Sequence, residues 1–77
     1  MSATLDVMTS VLRDKFKVKA ALAPDTKLDE MGLDSLDVIN FLFSLEEAVG
    51  VKIPDEALDQ EKLQTLAEIA DYVDRHR

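Results

Sequence analysis

The sequence predicts an all-α fold, a four-helix bundle with three long helices and one short, formed by residues 1–77 as a single domain. Three observations lead there. Apolar residues recur at spacings of three and four in three separate segments, which is the helical period. Only two Gly and two Pro punctuate 77 residues, too few for the turns of a many-stranded sheet. A hydrophobic content of 47% suffices for one core, and the length leaves no room for a second.

The first helix is expected from about Thr4 to Phe16, where Leu5, Met8, Leu12 and Phe16 share a face with Val11 beside them. Thr4 is the expected N-cap, and Arg13, Lys15 and Lys17 suit the negative end of the helix. Residues 18–26 read as connection, with a turn at Pro24-Asp25. Leu28, Met31 and Leu33 extend a linker of unusual length, and they are expected to pin it to the helices.

The second helix is expected over residues 34–49. Asp34 or Ser35 can cap it, and Gly50 fits the left-handed position past its end. Val38, Phe41, Leu42, Leu45 and Val49 form one apolar stripe, wide enough to face the core. Leu36, Ile39 and Phe43 form a second, flanked by Asn40, Glu46, Glu47 and Asp37. Periodicity alone favours burial of both, since the central helix of a small bundle can be covered on most sides. The alternative is an exposed second stripe, ringed by acids, that meets another protein.

A short element follows Pro54, which suits a first helical turn, with Asp55-Glu56 placing negative charge at its start. The last helix begins at Thr65-Leu66-Ala67-Glu68, a capping box, and Leu66, Ile69, Ala70 and Val73 give it one apolar face.

Charge excludes several functions. The net charge of −7 opposes nucleic-acid binding, which needs a basic face, and disfavours an anionic membrane surface. No apolar run reaches the roughly 18 residues of a spanning helix. The first residues lack the basic and apolar parts of a signal peptide, so a cytoplasmic location is expected. The charge is also uneven. Residues 1–28 carry a net +2, residues 62–77 carry zero, and residues 29–61 carry ten acids against Lys52 alone. That middle segment is either a solvated surface or a docking face for basic partners.

Catalytic chemistry finds few residues. There is no Cys, and the one His, His76, is next to last, where fraying is expected. Nucleophilic catalysis therefore lacks a base, and no metal site is expected. Glu46 and Glu47 are adjacent on a helix and fan apart. An EF-hand loop centred on Gly32 would need carboxylates where Lys27 and Val38 stand. The chain is not expected to be an enzyme.

Ser35 remains. A Ser at a helix start is usually an N-cap, yet Asp34 can take that role and leave the Ser35 hydroxyl free. A phosphate ester there would lie near the unpaired amides and the positive end of the helix dipole.

Gly32-Leu33-Asp34-Ser35-Leu36-Asp37 resembles the phosphopantetheine attachment motif of acyl carrier proteins. The similarity extends to Glu30-Met31-Gly32, to Leu45-Glu46-Glu47, to Ile53-Pro54-Asp55 and to the helix that starts at Thr65. The resemblance implies the family's four-helix bundle and a Ser35 esterified with 4′-phosphopantetheine from coenzyme A. It implies a phosphopantetheinyl transferase as partner, with acyl-transferring, ketosynthase and related enzymes that carry basic docking patches. Asp34, Leu36, Asp37, Ile39, Phe43, Glu46 and Glu47 match the family's partner-facing positions, which reverses the preference from periodicity and predicts an exposed second stripe. A monomer without membrane insertion is implied as well. Asn40 and Ala48 stand where common fatty-acid carriers usually have acids, and Phe43 is bulkier than usual. A polyketide or other specialised acyl pathway is therefore expected as readily as fatty-acid synthesis. Two alternatives stay open: an aminoacyl, D-alanyl or peptidyl carrier, and a plain acidic helical interaction module with Ser35 only a cap.

Overall fold

Three α-helices form in the segments that carry the helical period, and a short fourth follows Pro54. In the computed structural model, which describes residues 3–76, they are α1 (Ala3–Asp14), α2 (Ser35–Val49), α3 (Glu56–Gln60) and α4 (Leu66–Arg75). Met1 and Ser2, part of the segment read against a signal peptide, lie outside the described residues, as does Arg77. A single 3-10 turn, Leu28–Met31, precedes α2. Among the described residues no strand forms, and no helix is long and apolar enough to cross a membrane.

The core lies where three helices meet. Met8 and Leu12 of α1, Phe41, Leu42 and Leu45 of α2, and Leu66, Ile69 and Val73 of α4 are each at most 2% exposed. α1 packs against both α2 and α4. Beyond its last turn, the Phe16 ring meets Phe41 edge-on with centroids 6.2 Å apart, a favoured aromatic geometry.

α1 departs from the expectation at both ends. Thr4 is not an N-cap: it sits inside the first turn, 1% exposed, and its hydroxyl donates to Asp74 Oδ1 at 2.7 Å. The carboxylate offered by α4 draws the hydroxyl into a bond between helices. The helix stops at Asp14, two residues short of Phe16. Lys17 then takes a left-handed φ of 55°, which no helix continues through. Pro54 likewise falls outside the first turn of α3, because Asp55 is the cap residue.

The long linker is bound to the bundle along its length. Met31 is buried, and Leu28 and Leu33 pack on the core as expected. Val18 and Leu22 do the same, although nothing in the local period distinguished them. The linker's end also completes the start of α4. Leu66 N–H donates to Thr26 O at 3.1 Å and Ala67 N–H to Pro24 O at 2.8 Å. Glu68 N–H donates to Thr65 Oγ1 at 3.2 Å, and Thr65 N–H to Glu68 Oε1 at 2.9 Å, the predicted capping box. Amides that a helix start ordinarily leaves orphaned are thus all paired.

Candidate functional site: the start of helix α2

The approach to α2 is set by Gly32, whose φ of 76° and ψ of 17° end the 3-10 turn. An added Cβ would meet nothing within 4 Å, so the left-handed backbone rather than space favours glycine. Asp34 follows in extended conformation and caps the helix. Its Oδ1 accepts from Asp37 N–H at 2.8 Å, and its carbonyl accepts from Val38 N–H at 3.0 Å. At the other end Gly50, φ 73°, donates its N–H to Glu46 O at 2.8 Å.

With Asp34 as cap, Ser35 becomes the first helical residue. It is exposed, and its hydroxyl forms no hydrogen bond among the described residues. The amides of Ser35 and Leu36 also find no acceptor there. A free hydroxyl, two unpaired N–H groups and the positive end of a four-turn helix meet at one point. That combination suits an attached anionic phosphodiester.

Beside Ser35 runs an open groove of about 370 Å³, with Leu33, Val38, Ile39 and Leu58 among its walls and Asp29, Asp55 and Asp59 also lining it. On the far side of Ile39 a second hollow of about 280 Å³ is lined by Leu42, Phe43, Ile53 and Pro54.

The exposed stripe is real. Leu36 is 65% and Phe43 57% exposed, and Ile39 is half-buried between them. Burial of both stripes, which the period alone favoured, is overturned: α3 is too short to cover the outer face of α2. Asp34 and Glu47 are exposed and Asp37 partly so. Glu46 is different. Its Oε2 accepts from Ile53 N–H at 2.7 Å and ties α2 to the chain that leads into α3. Sequence reasoning placed Glu46 only on the docking face, because a bond across seven residues and the Gly50 turn leaves no local pattern.

Two polar features lie away from the serine. Glu68 has its pKa lowered, first by the N–H of Gln64 and next by that of Thr65, both bonding its charged form. With the folded value below the unfolded one, its contribution to stability is present above the unfolded pKa and lost as pH falls through the folded one. His76 packs back on the last turn of α4. Its Nδ1 lies 2.8 Å from Tyr72 O and its ring stacks on Tyr72 at 4.1 Å. Among the described residues no cluster of His, Cys, Asp or Glu is arranged to hold a metal ion.

A family model described as the phosphopantetheine attachment site matches residues 6–73. The chain is similar to the acyl carrier protein of Clostridium perfringens, 32% identical over 73 residues that cover 92% of this chain and 93% of that one. It is also similar to the acyl carrier protein of Zymomonas mobilis, 42% identical over 50 residues, or 65% of this chain and 62% of that protein's length. A third relative is the acyl carrier protein of Bdellovibrio bacteriovorus, 37% identical over 62 residues, 80% of this chain and 70% of that one. The family match and these relatives define one class, carriers with a covalent prosthetic arm. The chain belongs to the acyl carrier protein family, and its cofactor is covalently attached 4′-phosphopantetheine.

Proposed function

We propose that this chain is a discrete, non-catalytic acyl carrier that bears its 4′-phosphopantetheine on Ser35. The observation that carries the assignment is the division of labour at α2: Asp34 caps the helix, so the Ser35 hydroxyl is exposed and unbonded. The bound group supplies a thiol on a flexible arm, on which acyl groups are held as thioesters. The chain's own residues position that arm. The helix start and the free amides of Ser35 and Leu36 favour its phosphate.

Asp34, Leu36, Asp37, Ile39, Phe43, Glu46 and Glu47 form the docking surface in this reading. Apolar contact comes from Leu36, Ile39 and Phe43, and orientation from the exposed carboxylates. The partners are a phosphopantetheinyl transferase and fatty-acid or polyketide-type enzymes with basic patches, met in the cytoplasm by a carrier that stays monomeric. Phe43 and Asn40 on this face, with Ala48 farther round the helix, suit a specialised acyl pathway as readily as fatty-acid synthesis.

Intact mass before and after incubation with coenzyme A and a broad-specificity phosphopantetheinyl transferase tests the assignment. The expected result is a gain of one phosphopantetheine group that the Ser35→Ala variant does not show. No gain from unmodified protein would reduce Ser35 to a surface serine and the chain to a helical interaction module.

A further inference from the structure

Three lysines stand together in a chain of net charge −7: Lys15, Lys17 and Lys19 alternate with Phe16 and Val18 just after α1. Burial sorts them. Val18 is 6% exposed and Phe16 half-buried, whereas all three lysines are exposed. The segment is held in place. Arg13 Nη1 donates to Val18 O at 2.8 Å, Val18 N–H donates to Leu12 O at 3.1 Å, and Phe16 rests on Phe41. None of the three lysines forms an ion pair among the described residues. Their backbone is therefore held to the scaffold, and no ion pair among the described residues neutralises their charges.

The place of this comb follows from Phe41. At about 100° per residue, Phe41 lies roughly 170° around α2 from the centre of the stripe Leu36, Ile39 and Phe43. The segment that packs on Phe41 thus lies across the helix from that stripe. Residues 29–61 meanwhile carry ten acids against one base. The molecule has a negative face around Ser35 and a positive pole behind it.

Resting on the carrier reading, we infer that Lys15, Lys17 and Lys19 are positioning residues that orient the carrier as it meets its enzymes. A basic surface that attracts the α2 face repels the comb, so wrong-face encounters are disfavoured and Ser35 leads. Net charge alone makes the opposite prediction. Removing three lysines makes the carrier more negative, and a more negative carrier should be drawn faster to a basic enzyme.

The test is the kcat/KM of phosphopantetheine transfer to Ser35 by the broad-specificity transferase, followed by intact mass at several salt concentrations. A comb variant, K15Q/K17Q/K19Q, is compared with a control, K27Q/K52Q/K62Q. Each loses three positive charges and goes from −7 to −10. At about 0.02 M salt the Debye length is comparable with the 21–29 Å extents of the molecule, so orientation is felt across it. There the comb variant is expected to load about threefold more slowly than the wild type, the control no more slowly, and the difference to vanish near 1 M salt. K15Q/K19Q, which spares the left-handed Lys17, should show a smaller fall in the same direction. A comb variant as fast as the wild type, an equal fall in the control, or a wild-type rate indifferent to salt would overturn the inference. Absence of any mass gain in the wild type would instead overturn the carrier reading beneath it.

Discussion

Asp34 and Ser35 are adjacent oxygen-bearing residues, both competent to cap a helix, and the structure gives the cap to the first. This makes their substitutions separable. Asp34→Ala is expected to cost about 1 kcal/mol of stability in urea unfolding, the usual loss for a cap. Ser35→Ala, at an exposed site without a side-chain bond, is expected to stay within about 0.5 kcal/mol of the wild type. Reversed magnitudes would show that the serine is the cap. At this scale the sequence was informative wherever the signal was local. The Asp34 cap, the Thr65–Glu68 box and Gly50 all act within four residues. It misplaced Thr4 as a cap and missed the bond of Glu46, because their partners Asp74 and Ile53 lie across the fold or past a turn.

α3 is the least self-sufficient element. It has five residues, and its cap residue Asp55 makes no side-chain bond. Its end is a left-handed turn at Lys62, φ 55°, closed by Leu63 N–H to Leu58 O at 3.0 Å. Leu63 is buried there, so packing holds a lysine where glycine is at ease. Lys62→Gly is expected to raise stability by up to about 1 kcal/mol, because the strain relieved exceeds the backbone entropy added. A loss of that size in thermal unfolding would mean that the lysine stem contributes more than its backbone costs. Helices α1, α2 and α4 were legible because their apolar residues repeat through two or more turns. The linker was legible only in part: Leu28, Met31 and Leu33 stood out, whereas Val18 and Leu22 follow no period.

Across the whole molecule, charge and apolar surface are laid out together. Asp34, Asp37, Glu46 and Glu47 flank the exposed side of α2, and the large apolar side chains left in water there are Leu36 and Phe43. Crowded like charges oppose folding, so added salt is expected to raise the melting temperature. Relief of about 1 kcal/mol of repulsion corresponds to a rise of about 4–8 °C for a domain of this size. A midpoint unmoved between low and high salt would mean that the acids are already well separated. Composition showed the excess of charge but not which helix face would bear it, since that depends on the short reach of α3.

The two best-defined helix starts are finished in opposite ways. At α4 the amides of Thr65, Leu66, Ala67 and Glu68 all have acceptors, two of them linker carbonyls. At α2 the amides of Ser35 and Leu36 have none among the described residues. In deuterated water the first set should hold its protons until the linker lets go of the bundle, and the second should exchange almost as fast as a disordered peptide. A phosphate joined to Ser35 would slow only the second pair, so the clock of those two protons would record the protein's modification without any label on the arm itself.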